Sequence, residues 1–158
     1  MSAQLVWRIA KHTPQYRADD LSGGGAKAVG GRWNAKGSAV VYSASSIALA
    51  TLETLVHLGD QIAIRNAFLV QITIPAKVWK EREVIEASEL DPTWLAEPPG
   101  SASIDFGTQW LQGMSAPLLL VPSIIVPEEY NVLINPAHAA ARQISATVKR
   151  QFIYDPRL

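Results

Sequence analysis

Six short runs of β-branched, aliphatic and aromatic residues constrain the fold of this chain more than any other feature. They are Leu5–Ala10, Ala39–Ser43, Ala67–Ile74, Leu118–Val126, Tyr130–Ile134 and Ile144–Tyr154. Each is too short for a buried helix and rich in strand formers. In the first, alternation sets Trp7 and Ile9 on one face. In the third, Gln71 and Thr73 take the wetter face and Pro75 closes the run. Pro122 and Ser123 interrupt the fourth, which predicts two short strands meeting at a bulge. Helices are fewer. Ser45 or Ser46 can cap one running to about Leu58, with Gly59 as a stop. Ile104–Met114, containing Trp110, predicts a second, and Pro136–Gln143 a short third. Lys11–Gly37 reads as loop, and Lys77–Glu97 is charged and mixed before the Pro98-Pro99-Gly100 break. Many short strands with few helices predict an α+β domain with a mixed, mostly antiparallel sheet. Nothing divides residues 1–158 into two units.

Composition narrows the function. The 158 residues carry no cysteine, which removes disulfides, thiolate metal sites and a cysteine nucleophile together. His12, His57 and His138 show no metal-ligand spacing, so no metal is expected. Fourteen basic residues balance fourteen acidic ones, which argues against phosphate-backbone binding as the main activity. The balance is uneven along the chain. Residues 1–59 are net cationic, and residues 81–105 carry seven acids against one base. A single anionic ligand therefore remains compatible with the N-terminal half. The N-terminus lacks the pattern of a signal peptide. The apolar stretch Ala39–Leu58 is broken by serines, Glu53 and His57, so no membrane span is expected. The expectation is a soluble, cytoplasmic protein.

Several residues are hard to explain by packing. Glu53 is the one formally charged residue between Ala44 and Gly59. Its helix is apolar or small nearly all round, which predicts a buried helix. No Lys or Arg stands three or four residues away. Glu53 therefore either pairs with a distant Arg for structure or faces a ligand pocket. Arg32 follows a flexible loop in Gly30-Gly31-Arg32-Trp33-Asn34. It either stacks on Trp33 or offers its fork to a phosphate or carboxylate. Ser123 either satisfies a bulge or presents a hydroxyl to a ligand; no G-x-S-x-G elbow surrounds it. Tyr42 precedes the Glu53 helix and reads as core or rim. Asn135, before Pro136, reads as a turn residue. Gly23-Gly24-Gly25-Ala26-Lys27-Ala28 matches the dinucleotide G-x-G-x-x-A string, but no strand precedes it and no βαβ unit follows.

These segments together resemble the RES domain family. The resemblance rests on Trp7-Arg8-Ile9, Gly30-Gly31-Arg32-Trp33-Asn34, Gly37, Val40-Val41-Tyr42-Ser43, Ala50-Thr51-Leu52-Glu53 with Val56-His57, Val121-Pro122-Ser123, Asn131, and Ile134-Asn135-Pro136 with His138. It spans roughly residues 5 to 150. The resemblance implies an ADP-ribosyltransferase-like, NAD-binding domain and the toxin of a bacterial type II toxin–antitoxin system. It implies an enzyme that arrests growth by cleaving the nicotinamide–ribose bond of NAD+, as a glycohydrolase or phosphorolase. NAD+ would be substrate, with no separate cofactor. The family's Arg, Glu and Ser fall on Arg32, Glu53 and Ser123, implied as catalytic. Arg32, Tyr42, Ser123 and Asn135 are implied as substrate contacts. The implied partner is an antitoxin with an Xre-like helix-turn-helix domain that covers the active site, in a hetero-oligomer that leaves room for a toxin dimer. Two alternatives stay open: a protein ADP-ribosyltransferase using the same site, and a non-catalytic dinucleotide- or partner-binding module.

Overall fold

In the computed structural model, which describes residues 2–56 and 66–158, the elements follow in this order. Strand β1 (Gln4–Lys11) leads to helix α1 (Gly24–Val29), strand β2 (Val41–Ala44) and helix α2 (Ile47–Leu55). Strand β3 (Ala67–Ile74), helix α3 (Ala76–Lys80) and strand β4 (Glu83–Val84) come next, then 3-10 turns at Ala87–Glu89 and Pro92–Leu95. Helix α4 (Ser101–Gly113), strands β5 (Leu118–Pro122) and β6 (Tyr130–Ile134), a 3-10 turn at Ala139–Gln143 and strand β7 (Ser145–Gln151) complete the chain. The strands form one seven-stranded sheet in the order β4-β5-β6-β2-β1-β3-β7. Every pairing is antiparallel except β4 with β5. The expected α+β class with a mixed, mostly antiparallel sheet is what the chain forms.

One weak seam divides this sheet. β1 pairs with β3 over eight residues and β2 with β6 over four, yet β1 and β2 share the single pair Trp7↔Ala44. The two halves diverge beyond that point, and backbone groups there need other partners.

Apolar side chains cover both faces. Val6, Val41, Val70, Ile72, Leu118, Leu120, Val132 and Ile134 form one buried cluster. Trp33, Val40, Trp94, Trp110, Leu111, Leu119, Val121 and Leu133 form a second. The alternation of Leu118 and Leu120 against Leu119 and Val121 is the period of a strand buried on both faces. α4 approaches the Arg32–Asn34 loop very closely. A Cβ added at Gly107 would lie 1.9 Å from the Trp33 carbonyl oxygen, and the Thr108 hydroxyl accepts from Ala35 N–H at 3.0 Å. The helix thus sets the position of that loop.

Several expectations need correction. Lys11–Gly37 is not all loop, because α1 forms within it. α4 begins at Ser101, three residues before the predicted start. The run after Leu118 is one strand: β5 ends at Pro122, where the missing proline N–H closes the ladder, and Ser123 starts the turn. The third helix is a 3-10 turn, and β7 stops at Gln151, although Phe152 and Tyr154 beyond it are buried. Ser46, not Ser45, caps α2 by accepting from Leu49 N–H at 3.0 Å. Helix α2 is described only to Leu55; its expected end at Leu58 and stop at Gly59, together with His57, lie outside the described residues. Nor is α2 buried all round. Leu49 and Ala50 pack inward, while Leu52 is 40% and Val56 61% exposed. Its apolar composition reflects an outward apolar face, not complete burial.

Candidate active site

A pocket of about 600 Å³ opens at the weak seam in the sheet. That volume lies within the range of small-molecule sites. Its walls include Trp7 and Arg8 from β1, Gly31 and Arg32 from the loop after α1, Tyr42 from β2, Glu53 from α2, Glu97 and Asn131.

Glu53 is half-buried, and its Oε1 accepts from Ser123 Oγ at 2.5 Å. Ser123 has no exposed surface. Its Oγ also accepts the N–H groups of Ile125 and Val126, both at 3.1 Å. Its one hydroxyl proton is spent on Glu53 and its lone pairs on the turn. Ser123 therefore stands behind the pocket wall and orients Glu53. No ion pair involves Glu53 among the described residues. The reading of Glu53 as the partner of a distant structural Arg is set aside on that ground.

Arg32 does not rest on Trp33 through its charge. Its Nη1 donates to the carbonyls of Trp94 at 2.8 Å and Ala96 at 2.9 Å, and its Nη2 to Glu97 Oε2 at 2.7 Å. The Arg32 side chain is 12% exposed and that of Glu97 74%. Arg32 thus ties the segment around Trp94–Glu97 to the pocket as one of its walls. Its planar fork matches this set of acceptors in a way a lysine cannot.

Tyr42 lies between these groups. Its hydroxyl donates to Asn34 Oδ1 at 2.6 Å and accepts from Trp33 N–H at 3.0 Å. Burial pushes the phenol up to about 12, against the opposing effects of the Trp33 N–H and the Arg32 charge. It is a neutral phenol at physiological pH and not a base.

Of the expected site residues, the structure brings Arg32, Tyr42 and Glu53 to one pocket, with Ser123 directly behind Glu53. It does not bring Asn135. That side chain is 1% exposed, outside the pocket, and its amide donates to the Leu111 carbonyl at 2.9 Å. Asn135 joins the end of α4 to the end of β6, because Pro136 forces a turn there. The nearby asparagine that does line the pocket is Asn131.

Arg8 is the residue that reasoning on residue types missed. Its Nη1 donates to the Tyr42 carbonyl at 3.3 Å across the seam, and its Nε is sealed from solvent with no partner among the described residues. Burial lowers its pKa, with Asp20 opposing; an arginine still keeps its charge. Arg8 lines the pocket, and a guanidinium in a pocket wall is a ready anion contact through its donors other than the sealed Nε. The signal was present in Trp7-Arg8-Ile9: an arginine inside an otherwise apolar strand.

Among the described residues, no group of three or more His, Asp or Glu side chains is placed to hold a metal ion, and no helix is long and apolar enough to cross a membrane.

Comparison with known proteins finds similar chains. A protein named "Prs ADP-ribosylating toxin" from Sphingobium sp. (strain YBL2) is 54% identical over 152 residues, covering 96% of this chain and 94% of that protein. A "Toxin Res" from Yersinia enterocolitica is 39% identical over 155 residues, covering 98% and 99%. The toxin–antitoxin complex MbcT-MbcA of M. tuberculosis contains a chain of similar fold, with TM-score 0.67 at 15% identity, covering 94% of this chain and 85% of that one. The family model for the RES domain matches residues 5–155, and the chain belongs to the RES domain family.

Proposed function

We propose that the chain is the toxin of a toxin–antitoxin pair and that its pocket binds NAD+ and breaks the nicotinamide–ribose bond. The observation that carries this reading is the Ser123-held Glu53 carboxylate in a pocket also lined by Arg8, Arg32 and Tyr42. Cleavage leaves an oxocarbenium-like ribose, as in glycoside hydrolysis. A carboxylate fixed in advance stabilises that charge without reorganising. The bonding pair leaves with nicotinamide, which becomes neutral, so no strong general acid is needed. Glu53 is the catalytic residue, and Ser123 positions it. The Tyr42 ring stacks on the nicotinamide. Arg8 and Arg32, which both line the pocket, hold the pyrophosphate. Asn131, in place of Asn135, supplies the further polar contact.

For the acceptor, the name of the 54% identical relative supports transfer of ADP-ribose to a protein, Prs or one like it. Hydrolysis or phosphorolysis, which would deplete NAD+, is the second reading; it shares the same first step. Incubation with NAD+, with and without phosphate and with cell lysate, followed by mass analysis, separates them. Labelled protein supports transfer. Free ADP-ribose supports hydrolysis, and ADP-ribose 1″-phosphate supports phosphorolysis. Saturable NAD+ binding with no product would instead make the chain a binding module.

The partner in this proposal is an antitoxin of Xre type that covers the pocket mouth, where Val29 is 70% and Val56 61% exposed. The toxin–antitoxin complex of the fold neighbour supports an antitoxin partner. Growth arrest on expression of the chain alone, relieved by a neighbouring Xre-type gene, is the corresponding test.

A further inference from the structure

We infer that Asn34 is a positioning residue that fixes the Tyr42 ring in the pocket wall, so that Tyr42 meets the substrate with its ring and not its hydroxyl. The inference rests on the pocket being an NAD+ site.

Asn34 is 1% exposed and is not part of the pocket lining. Its Nδ2 faces three carbonyls: Ala26 at 2.9 Å, Ser38 at 3.0 Å and Ala35 at 3.3 Å. An amide nitrogen donates and its oxygen accepts, so this surround fixes which way the amide points. Flipping it would set Oδ1 against three carbonyl oxygens and Nδ2 toward Tyr42. Oδ1 is therefore committed to the Tyr42 hydroxyl, at 2.6 Å. That hydroxyl also receives Trp33 N–H, at 3.0 Å. The far end of the side chain is closed off further by Gly31, where an added Cβ would lie 2.8 Å from the Tyr42 hydroxyl oxygen. The Tyr42 hydroxyl is thus bound into the Gly31–Asn34 turn, while Tyr42 still lines the pocket. A ring held at both its backbone and its hydroxyl has lost its rotamer freedom before any ligand arrives. Asn34 touches no ligand in this arrangement and acts through Tyr42.

The test is a double-mutant cycle on KM and kcat for NAD+, read as nicotinamide release, using N34A, Y42A and the double variant. Y42F provides a second route, since it removes the same hydrogen bond, together with the one from Trp33 N–H, while leaving the Asn34 amide and its three carbonyls intact. The expected result is a rise of about tenfold in KM for N34A, the worth of one good hydrogen bond, with kcat little changed. Y42F should raise KM by at least as much. In the Y42A background, N34A should add nothing. An equal KM penalty for N34A with and without Tyr42 would overturn the inference, as would a Y42F variant with unchanged KM.

A spectroscopic arm is independent of NAD+. The ultraviolet titration of Tyr42, isolated by difference against Y42F, should move toward that of an ordinary tyrosine in N34A, because the neutral phenol loses its acceptor. An unmoved titration would refute the Asn34–Tyr42 link itself. Absence of nicotinamide release from the unmodified chain, with the titration shifted as expected, would refute the NAD+-cleavage reading and leave the link standing.

Discussion

Ser123 Oγ donates to Glu53 Oε1 at 2.5 Å and so joins the end of β5 to helix α2 across 70 residues of chain. Ser123 holds two turn N–H groups with the same oxygen, so the carboxylate is aimed by the backbone geometry of the β5–β6 turn. S123A should lower kcat by roughly 10- to 100-fold, the worth of a hydrogen bond to a charged group. KM for NAD+ should move little. E53Q, which removes the charge itself, should cost more, on the order of 10²- to 10³-fold in kcat. Nicotinamide release under saturating NAD+ measures both. An S123A enzyme with normal kcat would mean that Glu53 needs no positioning.

How much of this was legible in the chain follows from the kind of signal each residue leaves. Glu53 was legible because a lone charge on an apolar helix violates a local pattern. Arg32 and Tyr42 were legible beside glycines and at the end of a strand. Ser123 was singled out either as satisfying a bulge or as offering its hydroxyl to a ligand; its full burial and its bond to Glu53 are tertiary facts. Arg8 was overlooked because one arginine in a short strand looks like the solvated face. Its placement depends on β1 and β2 sharing only one pair, which no local pattern announces. Asn135 is the converse: the resemblance implied a substrate contact, while the structure sets it outside the pocket, in the turn before Pro136 with its amide on the Leu111 carbonyl. The apolar α2 was read as buried because composition does not distinguish a core-facing helix from one whose apolar face is left outward.

Arg32 combines charge with architecture. Losing its guanidinium leaves the Trp94 and Ala96 carbonyls without their donor and releases Glu97 from the wall. R32A should raise KM for NAD+ by at least about tenfold, in line with a charged hydrogen bond. R32K should recover little of it, because a single ammonium cannot serve the same set of acceptors in one plane. Titration calorimetry with NAD+ on the slowed E53Q background checks this with little turnover. Wild-type affinity in R32K would show that charge alone suffices.

Gly107 and Gly113, both on α4, form a matched pair. A Cβ at Gly107 meets the Trp33 carbonyl oxygen at 1.9 Å, whereas at Gly113 it meets nothing within 4 Å. G107A should destabilise by about 1–3 kcal/mol, as overpacking does, and lower Tm by several degrees. It should also disturb NAD+ binding, since the displaced carbonyl belongs to the loop carrying Arg32. G113A should leave binding alone and be neutral or stabilising by up to about 1 kcal/mol, since alanine favours helix more than glycine does. Thermal unfolding of the two variants side by side gives the comparison. Equal Tm values would contradict the close helix–loop contact.

Tyr42 gives the structure a defined alkaline limit. Its phenol stands at about 12 in the folded chain, against 10.0 for an unperturbed tyrosine, chiefly because of burial. The folded state therefore holds this proton more tightly than the unfolded state does. The resulting stability is present in full below pH 10 and is lost as pH rises from 10 to 12. At about 1.4 kcal/mol per pH unit, the loss is of order 2–3 kcal/mol. Tyr130 and Tyr154 are also raised, so the measurement is a difference between the unmodified chain and Y42F. Urea midpoints taken from pH 8 to pH 11.5 should fall more steeply for the unmodified chain, and the two curves should converge at the alkaline end. Parallel curves would show that the Tyr42 hydroxyl is not sealed in the Gly31–Asn34 turn as the structure has it.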